Sequence, residues 1–285
     1  MKKIITELVQ GIDNLVTLPD VFLRINTLVE NTHSTTSDIA KAVGQDPAFT
    51  VRLLRVANSS FYGFSATIDT VPKAVSIIGI SQIRNLALAT SVASSFEGLP
   101  NTLVSMQNFW RHSLYCALAA RILAKHARKC DPDAVFTAAL LHDIGELVIF
   151  NRLPLKAKAA LQLVLDSADE LPVYQAERRV MGFDHAQVGG ELARQWKLPQ
   201  MLQECIEFHH EINPELRFVR EVALVHIANI LALMAEVQTL ELGDVPAIDP
   251  VAWEIAGLDP DELIRSTVSE AQEAIAEAER FFIDN

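Results

Sequence analysis

The chain has 285 residues, half of them hydrophobic, and a formal net charge of −12 at neutral pH. This length allows one large domain or two ordinary ones, each with a sizeable core. The negative charge argues against broad binding to a nucleic-acid backbone, which needs clustered Lys and Arg side chains.

The cysteines and the N-terminal sequence indicate in which cellular compartment the protein is expected. Three cysteines without a CxxC spacing argue against a disulfide framework and against a thiolate zinc site. The N-terminal sequence MKKIITELVQGIDNL lacks the long apolar segment of a signal peptide. No stretch reaches the roughly 18 uninterrupted apolar residues of a membrane span. We therefore expect a cytoplasmic protein that does not associate with a membrane.

Helical periodicity dominates the first hundred residues, without the alternating pattern of strands. Helices are predicted in DVFLRINTLVENT, in TSDIAKAVGQ up to Gly44, after Asp46-Pro47, and on both sides of Gly79. The stretch EGLPNT, residues 97–102, is typical of a linker. We therefore predict an N-terminal helical part over residues 1–100.

Residues 101–285 are predicted to form a helical bundle. A long helix covers LVSMQNFWRHSLYCALAARILAKHARK, and Asp131-Pro132 begins another that carries LLHDIGELVIF. The later predicted helices are HAQVGGELARQWK capped by Asp184, MLQECIEFHHE after Pro199, FVREVALVHIANILALMAEV, short helices at Asp249-Pro250 and Asp259-Pro260, and a closing STVSEAQEAIAEAERFF. The whole fold should be all-α.

The apolar stretch LLHDIGELVIF, residues 140–150, carries three polar groups: His142, Asp143 and Glu146. We expect His142 and Asp143 in the middle of a helix. Burying such groups is costly unless they are paired, hydrogen-bonded or bound to a metal. This stretch is therefore the first candidate for a functional site.

Four further histidines, also flanked by apolar positions, lie in other predicted helices: His112, His185, His209 and His210. Imidazole nitrogens and carboxylate oxygens are ligands that suit Fe, Mn or Zn. Facing helices of a bundle are a common place for such a site. A buried network of His–Asp and His–Glu hydrogen bonds without metal is the simpler alternative.

The spacing of His112, His142-Asp143 and a later polar residue resembles the H…HD…D pattern of the HD superfamily of metal-dependent phosphohydrolases. FDHAQVGG with His185 and IEFHHE with His209 and His210 resemble the extra histidines of the HD-GYP branch. The blocks DIAKAVGQDPAFTVRLLRVANSSFYGF and TVPKAVSIIGISQIRNLAL resemble the HDOD domain, an HD-related output domain of bacterial signalling proteins. The similarity runs from about Leu18 to at least Met234.

This resemblance implies a metal site with His112, His142, Asp143, His185, His209 and His210 as ligands, and Asp143 as the residue required for any catalysis. The residues leave three alternatives open: one divalent ion, two ions, or a polar network of these side chains without metal. Glu146, one helical turn beyond His142, would orient an imidazole or serve as a ligand itself.

The chain departs from the active pattern at several positions. Asn229 stands where the last Asp of H…HD…D falls, so an anionic ligand is lost. Glu146 replaces the Lys of HDxGK, which reverses the charge beside an anionic substrate. Asn108 replaces a Glu found one turn before the first His in some HD-GYP enzymes, and the Gly-Tyr-Pro motif is absent.

The resemblance and these departures favour a regulatory protein that acts through a protein partner in a signalling pathway. The alternative is a metal-dependent phosphohydrolase that takes a phosphorylated nucleotide or a cyclic dinucleotide. A third reading is DNA binding, because SDIAKAVGQDPAFTVRLLRVAN superficially resembles a helix-turn-helix with Arg52 and Arg55 on its second helix. The charge of −12 and the apolar second helix argue against it.

Overall fold

The computed structural model describes residues 2–10, 20–31, 33–58, 68–95, 103–167, 171–241, 243 and 245–282. These residues form helices and no strand, which confirms the all-α prediction. The helices are α1 (Lys2–Gln10), α2 (Asp20–Glu30), α3 (Thr36–Gly44), α4 (Pro47–Ala57), α5 (Val71–Ile78), α6 (Ile80–Ser95), α7 (Met106–His126), α8 (Pro132–Leu140), α9 (Ile144–Arg152), α10 (Pro154–Asp166), α11 (Val173–Met181), α12 (His185–Gln195), α13 (Gln200–Phe208), α14 (Val219–Val237), α15 (Pro250–Ala256) and α16 (Pro260–Phe282).

The chain divides into two compact units. The larger comprises residues 1–15 and 98–273, and the smaller comprises residues 16–97 and 274–285. The predicted linker at residues 97–102 lies outside the described residues, and a domain boundary at residue 100 stays a prediction. Each unit is described by itself.

Two long helices, α7 and α14, form the centre of the larger unit. They pack against each other and against α8, and both bury side chains on most of their circumference, as expected of helices inside a bundle. The helices α9, α12 and α13 form a second packed group, with α12 in contact with both of the others. All the predicted metal ligands lie on these helices or at their ends.

In the smaller unit, α2 to α6 pack on one another. Two predicted helix starts are confirmed here and illustrate ordinary capping. Thr35 begins α3 with a capping box to Asp38, and the Asp46 side chain accepts a hydrogen bond from the backbone N–H of Phe49 at the start of α4. The break at Gly79, where φ is +93°, separates α5 from α6 as predicted.

Two predicted helices differ from the structure. The segment from Asp131 to Phe150 is two helices rather than one, because α8 ends at Leu140 and α9 begins at Ile144. Conversely, Asp259-Pro260 does not begin a separate short helix. It begins the 23-residue α16, which runs to Phe282, since Asp and Pro suit a helix start and no helix-breaking residue follows.

Candidate metal centre

The break between α8 and α9 places His142 and Asp143 outside a regular helix, contrary to the mid-helix prediction. Asp143 takes the N-cap position of α9, yet its side chain makes no capping hydrogen bond. Its carboxylate is directed to a group of histidines instead. The expectation failed because the apolar periodicity of LLHDIGELVIF continues through the break, so the pattern alone does not reveal it.

Close contact between α9 and α12 accounts for the local geometry. A Cβ atom on Gly145 would lie 2.0 Å from the carbonyl oxygen of His185 and 2.6 Å from the backbone nitrogen of Gly189. A Cβ on Gly189 would lie 2.7 Å from the side chain of Ile206. Only glycine allows these backbones to approach so closely. This packing brings Asp143, at the start of α9, next to His185, at the start of α12.

Four of the predicted histidine ligands lie within 3.6 Å of an oxygen of Asp143, and the fifth, His210, lies next to one of them. Oδ2 lies 2.9 Å from His142 Nε2 and 3.6 Å from His112 Nε2. Oδ1 lies 3.3 Å from His185 Nε2 and 3.4 Å from His209 Nε2. His210 Nε2 lies 2.8 Å from His185 Nε2. We call His185, His209 and His210 the Oδ1 side, and His112, His142 and Asn229 the Oδ2 side.

The other ring nitrogen, Nδ1, of four of these histidines is held by an acceptor. His142 Nδ1 lies 2.6 Å from the carbonyl of Ala139, and His209 Nδ1 lies 2.9 Å from the carbonyl of Ile206. The remaining two bond to carboxylates, His185 to Glu177 at 2.7 Å and His112 to Glu236 at 3.1 Å. A proton on Nδ1 leaves the Nε2 lone pair pointing inward, which is the usual orientation of a metal-bound imidazole.

The inward-facing atoms fit a divalent cation. Among the described residues, the buried atoms His209 Nε2 and Asp143 Oδ1 have no hydrogen-bond partner, and His142 Nε2 faces Asp143 Oδ2 at 2.9 Å. Lone pairs of nitrogen and carboxylate oxygen repel one another unless a cation or a proton lies between them. Two ligands about 2.1 Å from one ion, at angles of about 90° to 110°, lie about 3.0 to 3.4 Å apart. The separations around Asp143 are close to that range.

The ligand atoms form two groups that share Asp143. Asp143, His185, His209 and His210 form one, and His112, His142 and Asp143 form the other, with all ligand atoms in each within 4.8 Å of one another. A third group combines Glu146, Glu177 and His185, but the bond between His185 Nδ1 and Glu177 already explains it. The arrangement therefore offers two neighbouring positions for ions with a common carboxylate.

Burial and charge shift the pKa values in opposite directions within the cluster. Burial tends to lower the pKa of His142, but the charge of Asp143 outweighs it and the pKa is raised well above its usual value. Burial lowers the pKa of His209 to about 4, and burial together with neighbouring histidines lowers that of His210. Imidazoles that are neutral at physiological pH can bind a metal without first losing a proton.

The three substituted positions lie in different surroundings. Asn229 is buried, with its amide oxygen 3.1 Å from His112 Nε2, so it supplies a neutral oxygen where the superfamily pattern has an Asp. Burial and the charge of Asp143 raise the pKa of Glu146 to about 8. Asn108 is exposed. Glu146 and Asn108 both line the cavity next to the centre.

Sequence reasoning missed the carboxylates that hold the histidines. Glu177 is 2% exposed and accepts hydrogen bonds from both the backbone N–H and the ring of His185. In the sequence it stands in YQAERRV among other polar residues, where nothing distinguishes it from a solvated position. Glu236 similarly lies one residue before the end of α14, next to the exposed residues Val237 and Gln238. Only their position in the folded chain reveals their contact with the ligands.

His226 and Arg178 support the site from outside. His226 bonds through Nδ1 to the carbonyl of His209 at 2.8 Å and accepts the Asp249 N–H on Nε2, so both ring nitrogens are occupied. Arg178 pairs with Asp184, the cap of α12, and with Glu211. It thus connects the start of the helix bearing His185 to the segment bearing His210.

A cavity of about 1150 Å³ lies beside the centre. His112, Asp143, His185 and His210 are part of its wall, so the centre is accessible from it. This volume is slightly above the range of about 300 to 1,000 Å³ that is usual for small-molecule sites. A molecule larger than water can therefore reach the candidate metal positions.

The described residues form an all-α fold in which several histidines gather around one aspartate. The HDOD domain family model matches residues 15–212, more than two thirds of the chain. The chain therefore belongs to the HDOD domain family, as the sequence motifs predicted.

Solved structures share this fold. An HDOD domain protein of unknown function from Geobacter sulfurreducens is 24% identical, with a TM-score of 0.77 over 99% of this chain and 100% of that one. A candidate phosphohydrolase from Shewanella amazonensis is 25% identical, with a TM-score of 0.72 over 95% of this chain and 97% of that one. A candidate signal transduction protein from Marinobacter aquaeolei is 20% identical, with a TM-score of 0.74 over 94% of this chain and 60% of that one.

Among curated proteins, an uncharacterized protein of Treponema pallidum is 26% identical over 212 residues. The alignment covers 74% of this chain but spans only 40% of that protein's length. In the described part of the chain, no helix has the length and hydrophobicity needed to cross a bilayer.

Proposed function

We propose that this HDOD protein is a cytoplasmic signal-transduction regulator whose histidine–aspartate centre binds a divalent metal. The observation that carries the proposal is the convergence of five imidazoles around Asp143, with buried Nε2 and Oδ1 atoms that have no hydrogen-bond partner. A ligand set of imidazoles with one carboxylate suits iron or zinc best and manganese less well. The regulatory output would be delivered to a protein partner.

The chain's own residues do three things at this centre. Glu177, Glu236 and the carbonyls of Ala139 and Ile206 hold the imidazole rings by their Nδ1 atoms. Asp143 supplies the carboxylate that both ligand groups share. Burial of His142 and His209 keeps water from competing for the ligand atoms. When bound, a divalent ion would act as a Lewis acid and neutralise charge on an anionic ligand.

Two substitutions favour regulation over hydrolysis. Asn229 removes one negative ligand from the Oδ2 side, which weakens the hold on a second ion. Glu146 faces the cavity at the position where the HDxGK pattern has a Lys that would contact phosphate. A centre with one firmly held ion and no such Lys is better suited to binding an anionic ligand than to cleaving it.

The second candidate function is metal-dependent phosphohydrolysis of a nucleotide or cyclic dinucleotide. Its specific support is the cavity that opens on Asp143 and three of the candidate ligand histidines, together with the two ligand groups that share one carboxylate. Two ions held this way would stabilise both the attacking and the leaving oxygen of a phosphodiester. The Shewanella amazonensis protein named a candidate phosphohydrolase is 25% identical to this chain.

Metal content and hydrolysis together test these proposals. Tag-free protein purified without chelator should contain at least about one iron or zinc ion per chain, and His142→Ala should lower that content. With Mn, Fe, Co or Mg added, the protein should not cleave bis(p-nitrophenyl) phosphate or cyclic dinucleotides. Absence of metal overturns the metal centre, whereas metal-stimulated cleavage that Asp143→Asn abolishes would establish the hydrolase instead.

A further inference from the structure

The cavity beside the centre has an uneven distribution of charge. Arg111 is the only Lys or Arg among the described residues that line it, whereas four carboxylates do so: Asp143, Glu146, Glu236 and Asp249. Apart from Arg111, no described Lys or Arg of the lining would pair with the further phosphates of a polyphosphate ligand away from the metal positions, and this opposes the binding of such a ligand. The lining therefore accommodates one anionic group, at the metal positions.

The remaining wall is largely apolar and comes from separate parts of the larger unit. Leu171, Pro172 and Val173 contribute at the start of α11, and Ile230 and Leu233 contribute from α14. The segment from Pro246 to Ile248, just before α15, adds a third apolar surface. Apolar surface of this kind is favourable only when a ligand removes it from water.

The described Tyr and Phe rings of the wall already contact other side chains, and Phe109 packs edge-on against Trp110 with ring centroids 5.0 Å apart. Tyr174 stacks on His210 with ring centroids 4.3 Å apart, and Arg178 lies over the same ring. Arg111 lies over the ring of Tyr115 at 5.9 Å. A nucleobase usually needs a free aromatic face for stacking. These contacts favour an aliphatic body over a flat base.

We propose that the cavity binds an organic monophosphate with an aliphatic body, its phosphate at the metal centre and its chain against the apolar wall. The inference rests on the proposed metal centre and adds the chemical class of the ligand. Binding of this ligand would be the event that the regulator senses. The cavity is large enough to hold a body of several carbon atoms in addition to the headgroup.

Calorimetric titration of metal-loaded protein with hexyl phosphate, inorganic phosphate and AMP tests the ligand class. Hexyl phosphate should bind at least about tenfold more tightly than inorganic phosphate, since burial of two methylene groups is enough for that factor. AMP should bind no more tightly than inorganic phosphate. The Leu233→Asn variant should lose the advantage of hexyl phosphate and keep the affinity for inorganic phosphate.

Leu165→Asn is the matched control, because Leu165 is 79% exposed and does not line the cavity. It should leave the affinity for hexyl phosphate unchanged. Equal binding of hexyl phosphate and inorganic phosphate, tighter binding of AMP, or equal loss in both variants overturns the ligand class while the metal centre stands. Protein that retains no metal when measured alongside overturns the centre, and with it the headgroup site.

Discussion

The two sides of Asp143 differ in how completely they are built. The Oδ1 side has three histidines, and a nearly fully buried Glu177 holds one of them. The Oδ2 side has two histidines and the neutral amide of Asn229, and its supporting carboxylate, Glu236, is partly exposed. An ion on the Oδ1 side would therefore be held more tightly. One shared carboxylate can therefore belong to a complete ligand set and to an incomplete one.

The strongest test of the comparison removes what the two sides share. Asp143→Asn should lower the affinity for every ion by at least about 100-fold, because loss of a charged ligand exceeds the 10- to 100-fold effect of losing a supporting group. Metal content by mass spectrometry after dialysis measures it. Asp166→Asn, at the exposed end of α10, is the control and should retain its metal. Full retention by Asp143→Asn would show that Asp143 is not a ligand.

Gly145→Ala should weaken the Oδ1 side by moving Asp143 away from His185. The added Cβ would lie 2.0 Å from a backbone oxygen of α12, so α9 and α12 must separate. We expect a loss of about 3 kcal/mol in the free energy of unfolding, at the upper end for an overpacked site, and weaker metal binding. Urea unfolding measures the free energy of unfolding, and metal content after dialysis measures the metal binding.

Gly44→Ala is the matched control, since nothing lies within 4 Å of a Cβ at that position. It should leave stability unchanged or raise it slightly. Equal stability of the two alanine variants would contradict the close packing of α9 on α12.

Equivalent changes in the two supporting carboxylates show which side of Asp143 holds the tighter ion. Glu177→Gln removes the charge behind His185, and we expect about tenfold weaker binding of the first ion. Glu236→Gln makes the same change behind His112 and should alter that affinity by less than about threefold, because it acts on the weaker side. Competition with a chromogenic chelator reports both values. The reverse order would place the tighter ion on the Oδ2 side.

One substitution should strengthen metal binding rather than weaken it. Asn229→Asp adds an anionic oxygen next to His112 and should tighten binding of a second ion by about tenfold. Asn108→Asp adds the same charge at an exposed position of the cavity wall and controls for a general electrostatic effect. Calorimetric titration with a second equivalent of metal compares the affinity of the two variants for the second ion. Equal gains in both variants would mean that charge, rather than ligation, is responsible.

Much of the fold could be predicted from the sequence, because capping residues and helical periodicity are local signals. Asp184 at the start of α12, the breaks at Gly44 and Gly79, and the long helices α7 and α14 follow from such signals. The break at His142 and Asp143 could not be predicted, because it depends on how closely α9 approaches α12. The predicted ligands were recognised as residue types at characteristic spacings, and their roles stay predictions.

By itself, the sequence determined the all-α class, the family and the set of histidines, since each depends on which residues occur and at what spacing. Only the tertiary structure decided which atoms face one another. In the folded chain, hydrogen bonds at Nδ1 leave the Nε2 atoms of the histidines pointing inward. Glu177 and Glu236 accept two of these bonds, and His226 bonds to the backbone carbonyl of His209. These contacts join residues far apart in the chain, so their geometry exists only once the helices have packed.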